Sequence, residues 1–303
     1  MRKFLKFLFI LLAAVLIVIL KPQPILSHPW RPVRGGITFG ISGMALLSQH
    51  HDSNSFLIVH DNKQDNQGRL AIITIQDEKP PQYSPVSWPK STPLPIDLES
   101  ITTVPGTSEP IFMAANSAGM IYQFRWDASH QTISILKVFE LPNIPPKSNF
   151  EGFAVQKINS QLLAVWAHRG QYNDPAIIYW GRFDLKTNRI TQVNSAQFQV
   201  PFPISSTRHI SDLKIDSAGI LFISSATDNG DDGPFESAVY IAGVLGMQGQ
   251  QITFTPNSQL VPLYHFKYHK IEAIELVPGQ NGGVIMGSDD ENMGGSVLWM
   301  GKV

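Results

Sequence analysis

An all-β fold built from five repeated units is what the sequence predicts, and three observations carry that reading. A short motif recurs along the chain, no long segment keeps a 3.6-residue apolar stripe, and 22 prolines with 23 glycines punctuate strand-like runs throughout. The motif copies are Ser42-Gly43-Met44-Ala45-Leu46, Glu99-Ser100-Ile101, Glu151-Gly152-Phe153-Ala154-Val155, Ser211-Asp212-Leu213-Lys214-Ile215 and Glu272-Ala273-Ile274-Glu275-Leu276. Each opens with Ser or Glu, usually continues with a small residue, and then enters an apolar run. The openers recur at intervals of about 50–60 residues, longer than a helical solenoid unit and suited to one four-stranded blade of a β-propeller.

Residues 1–27 read as a targeting segment. Arg2, Lys3 and Lys6 precede an uncharged apolar run from Phe7 to Leu20, which Lys21-Pro22 closes. As a helix that run reaches only ~21 Å at ~1.5 Å per residue, short of a ~30 Å hydrocarbon core. A secretory signal peptide cleaved after Ser27 is expected, hence a periplasmic or secreted protein; the alternative is an uncleaved anchor over residues 4–20, the sole expected contact with a membrane. Residues 28–303 are then one propeller domain.

The targeting segment holds four basic side chains and no acidic ones, so the remainder carries 23 − 4 = 19 basic against 24 acidic side chains, a formal charge of −5. This excludes a nucleic-acid partner, whose backbone requires a concentrated positive field. The absence of cysteine excludes disulfides, thiolate metal sites and cysteine nucleophiles.

The elements follow in order within each unit. After each opener, a second apolar run ends at a polar turn: residues 56–60 at Asp61, 111–115 at Asn116, 162–167 at Arg169, 220–226 at Asp228 and 284–288 at Asp289. An antiparallel pair brings the end of its second strand back to the start of its first, so the turns and the openers share one face. Third strands are expected at 70–75, 120–126, 176–183, 238–244 and 297–301, and fourth strands at 86–88, 133–139, 198–202 and 258–263. The stretch from Ala273 to Val303, after the fifth opener, is long enough for three strands and too short for four. A strand within residues 30–39 would complete the last unit and close the ring, giving five blades; a sixth, motif-less blade is the alternative.

Inner propeller strands converge on the axis, so Ser42, Glu99, Glu151, Ser211 and Glu272 should form a ring. Three crowded carboxylates repel one another unless a cation offsets them, and an all-oxygen set suits Ca²⁺. Around the ring, Asp228 and Asp289 are candidate general bases, and Arg169 and Arg208 are candidate holders of an anionic small-molecule substrate. Other apparent motifs fail. The run at 228–233 lacks the ligand pattern of a calcium loop, Ser211 and Lys214 lie three apart in a strand, and His265 and His269 sit in a strand-like segment where that spacing makes no zinc site.

The order Ser, Glu, Glu, Ser, Glu on successive units resembles the central calcium site of the calcium-activated nucleotidases, the apyrase family of five-bladed propellers. The strings from Arg208 to Ile215, Ser237 to Tyr240 and Lys270 to Glu275 are similar to that family's fourth and fifth blade signatures. Glu151-Gly152-Phe153-Ala154 also resembles phytase-like and SdiA-regulated propellers. That family's arginine-rich segment after the third motif has no counterpart beyond His168-Arg169-Gly170. The resemblance implies a Ca²⁺-dependent hydrolase of phosphorylated small molecules such as nucleotides or phytate. The alternative is a calcium-braced, non-catalytic propeller that binds a protein partner or ligand on its acidic face.

Overall fold

Runs rich in Val, Ile and Phe, separated by turn residues, fold as antiparallel hairpins, and in this chain they assemble in sets of four. The computed structural model describes residues 30–76, 79–279 and 282–301; the targeting segment and its cleavage or anchoring lie outside the described residues. β1 (Arg31–Arg34) precedes blade 1, which comprises β2 (Gly43–Gln49), β3 (Asn54–Val59), β4 (Leu70–Ile75) and β5 (Gln82–Val86). Blade 2 is β6 (Leu98–Thr103), β7 (Ile111–Asn116), β8 (Met120–Asp127) and β9 (Thr132–Glu140). Blade 3 is β10 (Phe150–Ile158), β11 (Gln161–His168), β12 (Ala176–Asp184) and β13 (Arg189–Phe198). Blade 4 is β14 (Thr207–Ile215), β15 (Ile220–Thr227), β16 (Glu236–Gln248), β17 (Gln251–Pro256) and β18 (Tyr264–Lys267), and blade 5 is β19 (Ile271–Val277), β20 (Gly283–Ser288) and β21 (Gly295–Gly301).

The last blade takes its fourth strand from the start of the chain. β1 pairs antiparallel with β21, Arg31 opposite Val297, so the order is β1-β21-β20-β19 and the ring has five blades. This covers an edge that would otherwise be open to intermolecular pairing. Of residues 30–39, only Arg31–Arg34 is strand; Ile37–Phe39 turns into a short 3-10 helix.

Three outer strands differ from expectation. The fourth strand of blade 1 is Gln82–Val86, with residues 87–88 already beyond it. In blade 3 it is Arg189–Phe198, and residues 199–202 run on toward blade 4. In blade 4 the expected strand at 258–263 is the connection between β17 and β18, which pair with opposite halves of the long β16. The physical reason is exposure. An outermost strand such as β13 packs one face lightly and is mostly polar, whereas some apolar residues read as strands belong to connections: Phe202, Leu260 and Trp88 pack against buried clusters, and Val261 and Leu263 are exposed.

The core lies between blades. Each junction has its own buried cluster: Ala45, Leu57 and Phe112 between blades 1 and 2; Met113, Phe153 and Trp166 between 2 and 3; Leu163, Trp180 and Ile223 between 3 and 4; Val239, Ile271 and Met286 between 4 and 5; and Ile285, Trp299 and Phe56 between 5 and 1. Among the described residues no helix is long and apolar enough to cross a membrane.

Where the inner strands converge, the small residue of the motif has a steric cause. A Cβ on Gly43 would lie 2.7 Å from the Ser100 backbone, and one on Gly152 would lie 2.7 Å from Leu213. The crowded strands are tied to their neighbours all the way round. Thr103 Oγ1 donates to Leu46 O, Val155 N to Thr102 Oγ1, Gln156 Nε2 to Ile215 O, Ile274 N to Asp212 Oδ2, and Leu46 N to Glu275 Oε1. One side chain spans the axis. Lys214 of blade 4 donates from Nζ to Met44 O of blade 1 at 2.7 Å and Ile101 O of blade 2 at 2.5 Å, and pairs with Glu275 of blade 5 at 3.3 Å.

Two outcomes test this brace. Lys214→Met leaves Glu275 and two carbonyls uncompensated in the interior, and should lower unfolding stability by ~3–5 kcal/mol in urea titrations. The Asp212 carboxyl, fully buried, is pushed up by desolvation to about 7, against the opposing attraction of Lys214. The folded state therefore holds that proton longer than the unfolded chain does. Stability from this group is greatest below the unfolded pKa near ~4 and declines as pH rises through about 7. Melting curves from pH 4 to 8 should show a smaller decline in Asp212→Asn than in wild type.

Candidate active site at the propeller axis

The motif openers owe their position to irregular pairing. Register slips in β6 between Leu98 and Ser100, in β10 between Phe150 and Gly152, and in β19 between Ile271 and Ala273. The extra residues at these bulges are Glu99, Glu151 and Glu272. A bulge re-aims a side chain that regular alternation would send elsewhere. In β14 the slip spans Arg208 to Asp212 and includes Ser211, while Ser42 stands just ahead of β2 and donates its N–H to Val59 O.

A cavity of about 190 Å³ opens here, walled by Asn149, six carboxyl side chains (Asp61, Asp97, Glu99, Glu151, Glu272 and Glu291) and four cationic ones (Lys63, Arg169, Arg208 and Lys270). Arg169 meets Glu151 at 3.3 Å. Arg208 bridges Glu272 at 2.9 Å and Asp228 at 3.1 Å. Lys270 pairs with Glu272 at 3.0 Å and with Glu291, and Lys63 pairs with Asp97 at 3.0 Å. Burial opposes charge on Arg208 and Lys270, but the carboxylates around them outweigh it and hold both cations above their usual range. Burial likewise opposes the Asp228 carboxylate, but Arg208 keeps it ionised, below the ordinary value.

Burial, then the nearby Glu151, raises the Glu99 carboxyl well above the usual range. Burial also raises Glu151, against the opposing attraction of Arg208 and Arg169. Asp61, at the edge of the cavity, is raised to about 6 by burial and by Glu272. The cavity thus holds two carboxyl groups, Glu99 and Asp61, that burial and neighbouring acids raise above the ordinary value.

The expected site residues divide accordingly. Glu99, Glu151, Glu272, Arg169 and Arg208 come together at the cavity. Asp228 stands beside it, held by Arg208 and by Gln171 Nε2 at 3.1 Å. Asp289 does not join them: it is buried against Gly40, where a Cβ would come within 2.1 Å of its carboxyl, and it accepts the Glu291 N–H. Burial and Glu272 raise its pKa well above the ordinary value. Ser42 Oγ and Ser211 Oγ are buried without a hydrogen-bond partner and do not line the cavity. Asp61, Lys63 and Glu291 belong to polar turns that the sequence placed on this face, but neither they nor Asp97 and Lys270 were given a catalytic or metal-binding role from sequence. Their signal was the polar turns after each second strand and the residues just ahead of each opener.

The donor set is a poor fit to calcium. Glu151 and Glu272 direct oxygens to Arg169, Arg208 and Lys270, and no group of three or more His, Asp or Glu side chains able to hold a metal is present among the described residues. The two orphaned serine hydroxyls are neutral donors and do not make up the difference. Side-chain cations already supply part of the charge that the crowded carboxylates require.

The fold is shared with known enzymes. No protein-family model matches the chain, and no curated protein matches its sequence. Among solved structures, the chain is similar to the GH43 endo-arabinanase from Bacillus licheniformis (TM-score 0.50, 10% identity, covering 89% of this chain and 96% of that one). It is similar to the catalytic domain of the GH62 α-L-arabinofuranosidase from Coprinopsis cinerea (0.51, 9%, 90% and 97%) and to an endo-1,4-β-xylanase from Bacteroides thetaiotaomicron (0.54, 8%, 89% and 97%). At such identities the likeness establishes the fold. The expected five-bladed propeller stands, and the neighbours are glycoside hydrolases rather than apyrases or phytase-like propellers.

Chelation tests the charge assignment: excess EDTA should leave the melting temperature unchanged, whereas a fall of several degrees that added Ca²⁺ reverses would place calcium at the ring.

Proposed function

We propose that the chain is a hydrolase of neutral glycosides, with its active site in the axial cavity. The observation that carries this reading is the pair Glu99 and Asp61, two carboxyl groups in one cavity, the first raised well above the usual range and the second to about 6. Such a split assigns an acid and a base. Glu99 donates its proton to the departing glycosidic oxygen as the carbon–oxygen bond breaks. Asp61 removes a proton from water, whose oxygen forms the new bond to the anomeric carbon. Atoms balance, with the acid and base restored by proton exchange with solvent.

Charge favours a sugar over a phosphoester. Six carboxyl groups face four cations, and each cation already has a carboxylate partner. A phosphate would have to break those pairs and approach Glu99 and Asp61, whereas hydroxyl groups donate hydrogen bonds to carboxylates directly. The glycoside-hydrolase neighbours support the same choice at the level of fold.

The assay is release of 4-nitrophenol from α-L-arabinofuranosyl and β-D-xylopyranosyl substrates. Turnover should rise with pH through about 6 as Asp61 ionises. Glu99→Gln should lower kcat roughly 10²- to 10⁴-fold with an unchanged melting temperature. Phosphate release from nucleotides or phytate without glycoside turnover would sink the proposal, and binding without any turnover would return the non-catalytic alternative.

A further inference from the structure

The axial cavity does not end at Asp61. A second cavity of about 290 Å³ shares Asp61, Lys63 and Glu291 with it and runs outward over blade 1. Its remaining walls are Ile37, Thr38, Asn62, Gln64 and Gln67. The character of the lining changes at Asp61: charged pairs on the axial side give way to amides, a threonine and one aliphatic edge.

The turn that builds this groove is internally fixed. Gln67 Oε1 accepts the backbone N–H groups of Lys63 and Gln64 at 3.1 and 2.9 Å, which commits the oxygen and leaves the two Nε2 donors for a ligand. Asn62 Nδ2 donates to Thr38 O and Gly68 O at 2.9 and 2.7 Å, which pins the groove floor to the segment preceding blade 1. Toward the bottom of the ring, Lys214 crosses the axis and binds three other blades. The axial cavity, roughly six water volumes at ~30 Å³ each, has room for one sugar ring and no chain passing through.

Resting on the glycosidase reading above, we infer that the substrate is a neutral oligosaccharide of at least two units, held with its terminal sugar in the axial cavity and its next sugar in the amide-lined groove. The bond between them then lies at the rim where the two cavities meet, which Asp61, Lys63 and Glu291 line on both sides. Neutral hydrogen-bonding side chains with an aliphatic edge match a sugar's hydroxyl rim and C–H face. An anionic unit would meet Asp61 and Glu291, with Lys63 already held by Asp97. A cavity closed on one side and a groove on the other make the enzyme exo-acting, releasing single terminal sugars.

The test compares arabino- and xylo-oligosaccharides of two to five units with the matching glycosyl fluorides, whose leaving group is too small to enter the groove. The expected products are monosaccharides from the first minutes. In Gln67→Ala, and separately in Gln64→Ala, the ratio of kcat/KM for disaccharide over fluoride should fall about tenfold, the worth of one hydrogen bond. Hydrolysis of the fluoride with that ratio unchanged in both variants, or early products of several units, overturns the inference and leaves the glycosidase reading standing. Hydrolysis of neither substrate class overturns both.

Discussion

Five inner strands converging on one axis bring backbone carbonyls, carboxylates and small side chains closer together than a sheet normally allows, and every polar group there must find a partner. Lys214 meets that constraint at the lower end. Its ammonium group binds carbonyls of blades 1 and 2 and the Glu275 carboxylate of blade 5, and so holds four of the five blades to a single charge. Glu275 passes the tie on to the Leu46 N–H, and Asp212 fixes β14 to β19. A chain without cysteine has few other means of locking a ring, and a buried cation with well-placed acceptors serves where a disulfide or metal ion would.

The same crowding, handled differently, produces the site at the upper end. There the bulged residues Glu99, Glu151 and Glu272 are re-aimed toward the axis, and the polar turns add Arg169, Lys63 and Glu291. Arg169 pairs with Glu151, and Arg208 and Lys270 pair with Glu272. Glu99 has no ion-pair partner among the described residues and is buried next to other acids, which raises its carboxyl well above the usual range. Stability and chemistry are thus divided along the axis: a satisfied ion cluster below, an incompletely compensated one above.

The fold does not select the chemistry. Five-bladed propellers present the same ring of inner-strand openers to one face, and the likeness to glycoside hydrolases at 8–10% identity is a likeness of scaffold. What favours the proposed sugar substrate over a phosphoester is local: the cations that an anion would need are already committed to carboxylates, and the adjoining groove is lined with amides.

The five-fold motif determined a good deal by itself. Its spacing fixed the number of blades, the shortage of chain after Glu272 implied closure by the N-terminal strand, and the openers Glu99, Glu151 and Glu272 marked the axial site. These features are local and periodic, and local periodicity is written directly in sequence. The outer strands were less legible because exposed edge strands lose the apolar alternation that marks a strand, as β13 shows. Three matters were decided only by tertiary structure. The bulges that re-aim the glutamates depend on pairing with a second strand; Arg169, Arg208 and Lys270 come from different blades to pair with the ring's Glu151 and Glu272; and Lys214, which the Ser211 spacing argued out of catalysis, proved to be the brace across the axis. The contacts of Arg208 with Glu272 and of Lys214 with Met44 O join residues 64 and 170 apart along the chain, and a charge's partner is fixed by distance in space, which spacing along the chain does not encode.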